Sequence, residues 1–348
     1  MKGKQGMVCM GLLLVLSSCH TGKQITASGL QRKDFQTEVN GQHTDLFTLS
    51  NKQGMEVCIT NYGARVVSIL VPDRNGKRED VVCGFSTITE YMEQRQNFGS
   101  TVGRYIGRIL NARFTLDGVE YKLVPNNGKS GHISHGGNPG FADRIWKVEQ
   151  ADTHRVCLSY LSPDGENGFP GNLKVTLVYS LGEDDNALDL TYEATTDAPT
   201  VLNLSHHSFF NISGNFTKSV EDQQLWVDAD RFTPYDDKKC VTGEYLQVAG
   251  TPLDFRMPHA IGECIDADHP QLKVVNGYDH TWELNTKGDD TRPAAWVYDP
   301  ASGRKMEIFT TEPGMQIYTG NGLKGKMTGK GGIAYPFRSA VCFETMHF

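Results

Sequence analysis

The residues of this chain best able to do chemistry sit in five short motifs. In Gly103-Arg104-Tyr105-Ile106-Gly107-Arg108-Ile109 two arginines stand four apart amid glycines. That spacing suits a guanidinium held against the backbone and aimed at a polar ligand, or two solvated surface arginines. Ser134-His135-Gly136-Gly137 places a histidine before two glycines, which leave one side of its ring unshielded and let it project into a cleft. A surface-loop histidine would read the same way. Within Asn203–Phe210, His206 and His207 are adjacent, so on a strand they point to opposite faces. They cannot readily share one metal. One of them faces inward, as a proton donor or acceptor near neutral pH or as a satisfied core histidine. Asn276-Gly277-Tyr278-Asp279-His280 offers a carboxylate after a turn and an aromatic, suited to accepting from a hydroxyl and equally to an Asx turn. Glu344 follows three apolar residues in Val341-Cys342-Phe343. Facing inward, desolvation raises its pKa towards that of a usable base; facing outward, it is a glutamate on the wet side of an edge strand. No nucleophile has a base beside it, and no paired-carboxylate motif is present. One glutamate, one aspartate, two or three histidines, an arginine and aromatics form a kit for acid/base work on a neutral polyol.

The elements that must position these groups read as strand after strand. Asp45–Ser50 and Met55–Thr60 flank a four-residue loop of hairpin type, and Arg113–Leu116 and Val119–Val124 flank Asp117-Gly118, a strong hairpin signal. Further strands are expected at Val156–Leu161, Asn172–Leu181, Ala187–Thr195, Gln224–Asp228, Lys305–Thr311, Met315–Thr319 and Ala340–Thr345. Leu173, Val175, Leu177 and Tyr179 alternate with Lys174, Thr176, Val178 and Ser180, the pattern of a strand with one buried face. Thr87–Glu93 is the one short helix anticipated. The Gly/Lys segment Asn321–Gly332 lacks the G-x-x-x-x-G-K-[ST] pattern and a strand–helix setting, so it reads as a mobile surface loop. No G-x-G-x-x-G supports a dinucleotide site. The expected fold class is all-β, a single large antiparallel β-sandwich over residues 35–348.

Length and composition bound the rest. The 348 residues carry a net charge of -7, 22% charged and 38% apolar residues, which excludes a disordered chain. An acidic balance argues against nucleic acid as partner. Residues 1–19 read as a signal: Lys2 and Lys4 precede an apolar run Met7–Leu16, too short to span a bilayer. It ends in Leu16-Ser17-Ser18-Cys19, which resembles a lipoprotein box with Cys19 as the lipidated residue, so membrane contact is expected only through that anchor and the location is the exported side of a bacterial membrane. Residues 20–34 read as a polar tether. The other six cysteines, Cys58, Cys83, Cys157, Cys240, Cys264 and Cys342, are far apart without zinc-like spacing and are expected as buried single thiols.

Taken in order, the motifs resemble those of the aldose 1-epimerases, the galactose mutarotases, along nearly the whole chain after the signal. They run from Asn61-Tyr62-Gly63-Ala64 and Val71-Pro72-Asp73 through Asn97–Ile109, Ser134–Gly137, Asn167–Gly171, Asn203–Phe210, Gly250–Phe255, Asn276–His280 and Pro313–Asn321 to Phe343-Glu344-Thr345. The resemblance implies the family's large antiparallel sandwich, interconversion of α and β anomers of a free aldose such as glucose or galactose, and no cofactor or metal. By motif it implies Glu344, His207 and His135 as catalytic residues and Arg108, Asp279 and Gln316 as sugar contacts. Glu344 would act as base and His207 as acid, with Glu344 ionised and His207 protonated at the start.

The chain departs from the family in three places. Gly107 stands where many members carry an asparagine, and Ser134 where leucine is common. Members also usually continue past this glutamate, whereas Phe348 follows it by four residues; a chain lacking that tail would leave the Glu344 strand as an exposed edge. Two other readings compete: a sugar-binding protein of the same fold without turnover, and an epimerase of a phosphorylated hexose, which would want an arginine cluster.

Overall fold

A computed structural model describes residues 24–348. The expected signal and Cys19 lie outside the described residues. The described chain is built from antiparallel ladders, with two helices of seven and six residues, Ile88–Gln94 and Pro270–Val275. The first is capped as its sequence implies: Thr87 accepts from the Glu90 N–H at 3.2 Å while the Glu90 carboxylate accepts from the Thr87 N–H at 2.9 Å. The second was not anticipated; it is brief, with proline in its first turn.

Four larger sheets pack as two sandwiches. One sandwich faces Leu46–Ser50, Glu56–Thr60, Arg65–Pro72 and Arg78–Asp80 against the meander Lys147–Ala151, Arg155–Ser162, Leu173–Leu181 and Leu188–Thr196. Leu173, Val175, Leu177 and Tyr179 point into its core beside Val57, Ile59 and Val66, so the alternation seen in the sequence is borne out. The other sandwich sets a six-stranded sheet against His259–Ala260, Gln224–Val227, Ala295–Tyr298 and Lys305–Ile308. The six strands run in the order Phe209–Phe210, Val341–Met346, Gly314–Tyr318, Asp279–Leu284, Ala229–Thr233, Leu246–Gln247. Trp282, Leu284, Met315, Ile317, Val341 and Phe343 fill the core between these two sheets.

Three expectations are corrected. The Glu344 strand is not an exposed edge: it pairs with Gly314–Tyr318 on one side and Phe209–Phe210 on the other, and Glu344 is 2% exposed. Apolar residues on both faces of Val341–Met346 reward burial on both sides. The described part of the expected tether is packed as well. Leu30 enters the core, Arg32 pairs with Asp45, and the Ala27 N–H donates to Glu56 at 2.7 Å. Finally, the Asn321–Gly332 segment is pinned, not loose: Leu323 is buried in the core and Lys330 meets Asp80 at 2.6 Å. The strand Arg65–Pro72 went unrecognised because it is buried along most of its length and so shows no alternation. All six described cysteines are free; Cys58, Cys83, Cys240 and Cys342 are buried, Cys157 and Cys264 partly so.

Candidate active site

Register places the candidate residues before any side chain is considered. Thr281, Gln316 and Glu344 are Cα partners across the Asp279–Leu284, Gly314–Tyr318 and Val341–Met346 strands, so they stand abreast in one row. The row before it holds Asp279, Tyr318 and Cys342, and Phe209 continues it onto the next strand. Because residues two apart share a face, Asp279 and Thr281 point the same way, as do Cys342 and Glu344. The opposite face of the Glu344 strand, Val341 and Phe343, belongs to the core.

Ser205–His207 pairs with Ser100–Val102 and brings the two histidines to this face and its reverse. His207 meets Glu344, Nε2 to Oε1, at 3.4 Å. Its ring stacks on Phe209 at 5.0 Å between centroids. His206 points away, against Tyr179 and Ser208, with Nε2 at 2.7 Å from the Ser208 hydroxyl. The expected division of the pair therefore holds, and the inward member is His207.

Arg108 and His135 arrive together. The short ladder of Arg108–Ile109 with Ile133–Ser134 pairs Ser134 with Arg108, and the His135 N–H donates to the Gly107 carbonyl at 2.9 Å. The His135 ring lies 5.5 Å from that of His207, edge to face. Gly136 makes this approach possible, since a Cβ there would lie 1.9 Å from the Gly103 carbonyl oxygen. The two arginines separate cleanly. Arg104 is 1% exposed and donates to Ser162, Pro163 and Pro170, clamping loops together. Arg108 is the one aimed at the site, donating to the Lys239 carbonyl at 3.1 Å with its guanidinium 5.8 Å from the Tyr235 ring. Asp279 accepts from Gln316 Nε2 at 2.6 Å. All six residues singled out in the sequence for the site, Arg108, His135, His207, Asp279, Gln316 and Glu344, thus converge.

Burial sets the protonation of the pair. It drives the Glu344 carboxyl well above its ordinary range, with the Asp279 charge adding to the rise and Arg108 opposing it. It lowers His207 to about 4 and His135 to about 3. Asp279 is raised by burial too, against the pull of Arg108 and Gln316. Desolvation penalises both charges, which disfavours charged His207 facing ionised Glu344 and favours the proton on the carboxyl. Among the described residues one group could hold a metal ion, His207, Cys342 and Glu344, whose donor atoms lie within 4.8 Å of one another. His207 Nδ1 has no hydrogen-bond partner, whereas a metal-ligating histidine is normally fixed through its second nitrogen. The arrangement suits proton exchange between a buried acid and a buried base better than ligation.

Two neighbours escaped the sequence reading. Thr281 could have been found from the period of two, since it follows Asp279 by two residues on one strand. Tyr235 carried no signal, because Pro234-Tyr235-Asp236-Asp237 reads as an ordinary turn.

Residues 45–348 match the family described as aldose 1-epimerase, which is most of the chain. The chain belongs to the aldose 1-epimerase family. Among similar family proteins, galactose mutarotase of Sus scrofa is 38% identical over 302 residues, 87% of this chain and 85% of the relative. Aldose 1-epimerase of Escherichia coli (strain K12) is 36% identical over 286 residues, 82% of this chain and 81% of its own. Of solved structures, an aldose epimerase homologue from C. elegans superposes with a TM-score of 0.79 at 30% identity, covering 87% of this chain and 89% of its own. Galactose 1-epimerase from Lactobacillus acidophilus gives 0.78 at 29% identity, covering 89% and 88%. Together with the observed sheets, these similarities establish the all-β sandwich expected for an aldose 1-epimerase fold.

Proposed function

We propose that this protein is an aldose 1-epimerase that interconverts the α and β anomers of free aldohexoses of the glucose and galactose type. The observation that carries the reading is the buried His207–Glu344 pair at 3.4 Å, with Arg108, Asp279 and Gln316 beside it. Anomers exchange only through ring opening, which takes a proton from the C1 hydroxyl and delivers one to the ring oxygen. Two groups that hold one proton between them suffice. Glu344 takes the C1 proton and His207 gives one to the ring oxygen; rotation about C1–C2 and closure reverse the roles. The resting pair, protonated Glu344 with neutral His207, contains the same number of protons as ionised Glu344 with charged His207. Moving one proton between them converts the resting form to the reactive one, and Arg108 favours the ionised carboxylate. His135 helps hold the ring oxygen, and Arg108, Asp279 and Gln316 grip hydroxyls. Each positioned acid or base is worth about 10²–10⁴ in rate, so no covalent step is required.

Binding without turnover is disfavoured because gripping a sugar requires neither a buried acid nor a buried base paired with it. A phosphorylated substrate is disfavoured because no arginine cluster gathers at the site among the described residues: beside Arg108, the nearby Arg65 is spent on the Gln96, Phe98 and Ala142 carbonyls. Polarimetry of freshly dissolved α-galactose or α-glucose tests the proposal: the rotation must relax faster with enzyme than in buffer. Saturable binding without acceleration would favour the binding-only reading.

We also propose one functional domain that takes in residues 24–348, and lipid attachment at Cys19 that holds the protein on the exported side of a bacterial membrane. The support is the order of Lys2 and Lys4, the apolar run Met7–Leu16 and Ser17-Ser18-Cys19. Mass spectrometry of the native protein for a lipidated Cys19 decides it; an unmodified Cys19 in the membrane-extracted chain would sink the idea.

A further inference from the structure

Gln316 is not a freely rotating sugar contact. Its amide oxygen accepts from two hydroxyls at once, Thr281 Oγ1 at 2.8 Å and Tyr235 Oη at 3.3 Å, while its nitrogen donates to Asp279. Flipping the amide would set its oxygen against the Asp279 carboxylate, so it is that carboxylate which fixes the end of the amide facing it. The two hydroxyls, which accept as well as donate, brace the amide in that orientation from its other end.

Tyr235 acts on a second group too. Its ring lies against the Arg108 guanidinium, at 5.8 Å. It comes from a stretch held at several points. Its N–H donates to Gln271 at 2.8 Å and its carbonyl accepts from the same amide at 3.0 Å. The following turn closes with the Asp236 N–H on the Cys240 carbonyl and the Cys240 N–H on the Asp236 side chain, each at 2.9 Å. That turn presents the Lys239 carbonyl to Arg108. Tyr235 itself is 7% exposed. One side chain thus touches both arms of the candidate hydroxyl grip, the arginine through its ring and the Gln316–Asp279 pair through its hydroxyl.

We infer that Tyr235 is a positioning residue for sugar affinity: its hydroxyl, together with that of Thr281, braces the Gln316 amide that holds Asp279, and its ring seats Arg108. The inference rests on the assignment of Arg108, Asp279 and Gln316 as sugar contacts. It makes the Tyr235 hydroxyl act on ground-state binding and leave the His207–Glu344 proton exchange alone, which gives a distinctive kinetic pattern.

Tyr235→Phe keeps the ring and removes the hydroxyl. In initial-rate polarimetry its KM is expected to rise about 3–10-fold, the loss of one hydrogen bond, with kcat within about twofold and the pH profile unmoved. Tyr235→Ala loses the seat of Arg108 as well and must raise KM further. Thr281→Val removes the other donor to the same oxygen; its effect must be coupled to that of Tyr235→Phe, the double variant departing from the product of the singles. Should the Tyr235 variants fold poorly, Thr281→Val still reads the latch from the other side. A Tyr235→Phe enzyme with wild-type KM, one that loses kcat at unchanged KM, or strict multiplicativity with Thr281→Val would each overturn the inference. Calorimetric titration of galactose into the same proteins separates the two levels. If the wild type fails to accelerate mutarotation, the proposed activity falls, while a weaker Kd in Tyr235→Phe still upholds the positioning role and an unchanged Kd refutes it.

Discussion

Replacing Glu344 by glutamine removes one ionisable group and almost no volume. The wild-type carboxyl is 2% exposed, and His207 Nε2 stands 3.4 Å from it. The nearby acid, Asp279, is engaged by Gln316 and sits in the neighbouring row of the sheet, so it cannot stand in as base. The expected loss is that of a positioned general base, about 10²–10⁴ in kcat, or about 3–5 kcal/mol of barrier. Sugar binding, read by calorimetry, is expected to persist, since Arg108, Asp279 and Gln316 are untouched. Stability provides an internal control. Glu344 has its folded pKa raised, so its contribution to stability is full below the unfolded value and is lost as pH rises through the folded value. Glutamine has no such loss. The melting temperature of Glu344→Gln is therefore expected to equal or exceed that of the wild type, by a margin that grows with alkalinity. A folded Glu344→Gln protein that mutarotates α-galactose within a few-fold of the wild-type rate would refute the assignment.

The adjacent histidines offer a paired test: His207→Asn should cost about 10²–10⁴ in kcat, while His206→Asn, facing Tyr179 and Ser208, should change it by less than about threefold; comparable losses in both would contradict the face assignment. The acid limb of the pH–rate profile should lie well below the ordinary histidine range, because a second proton enters the pair only as His207 titrates, at about 4; a limb near 6.5 would show a solvated imidazole. Stability should fall with acid: His135, His206 and His280 are lowered to about 3 and His207 to about 4, so each stabilises above the unfolded value and loses that as pH drops, at up to about 1.4 kcal/mol per pH unit per histidine. The raised carboxyls of Glu344 and Asp279 oppose this in part, and a melting temperature flat from pH 7 to 4 would refute the balance. Gly136→Ala should cost more than about 3 kcal/mol or prevent folding, because its Cβ would overlap the Gly103 carbonyl at a φ of +77°; calorimetry checks it.

What the sequence determined by itself was local or ordered along the chain. Hairpins at Asn51–Gly54 and Asp117-Gly118, the Leu173–Leu181 alternation and the short helix near Thr87–Glu93 were legible because turn chemistry and period act within a few residues. The motif order carried family and candidate residues, and adjacency alone implied that His206 and His207 face apart. Tertiary structure decided what depends on pairing between distant segments. It buried the Glu344 strand between two neighbours, and it set the His207 implied by the motif 3.4 Å from Glu344 by laying Ser205–His207 beside that strand. It also drew Tyr235 onto Gln316 across 81 positions of sequence. The protonation of the pair belongs to the same class. A pKa follows from how much water and which charges surround a group, and for Glu344 those surroundings come from strands separated by tens to hundreds of residues.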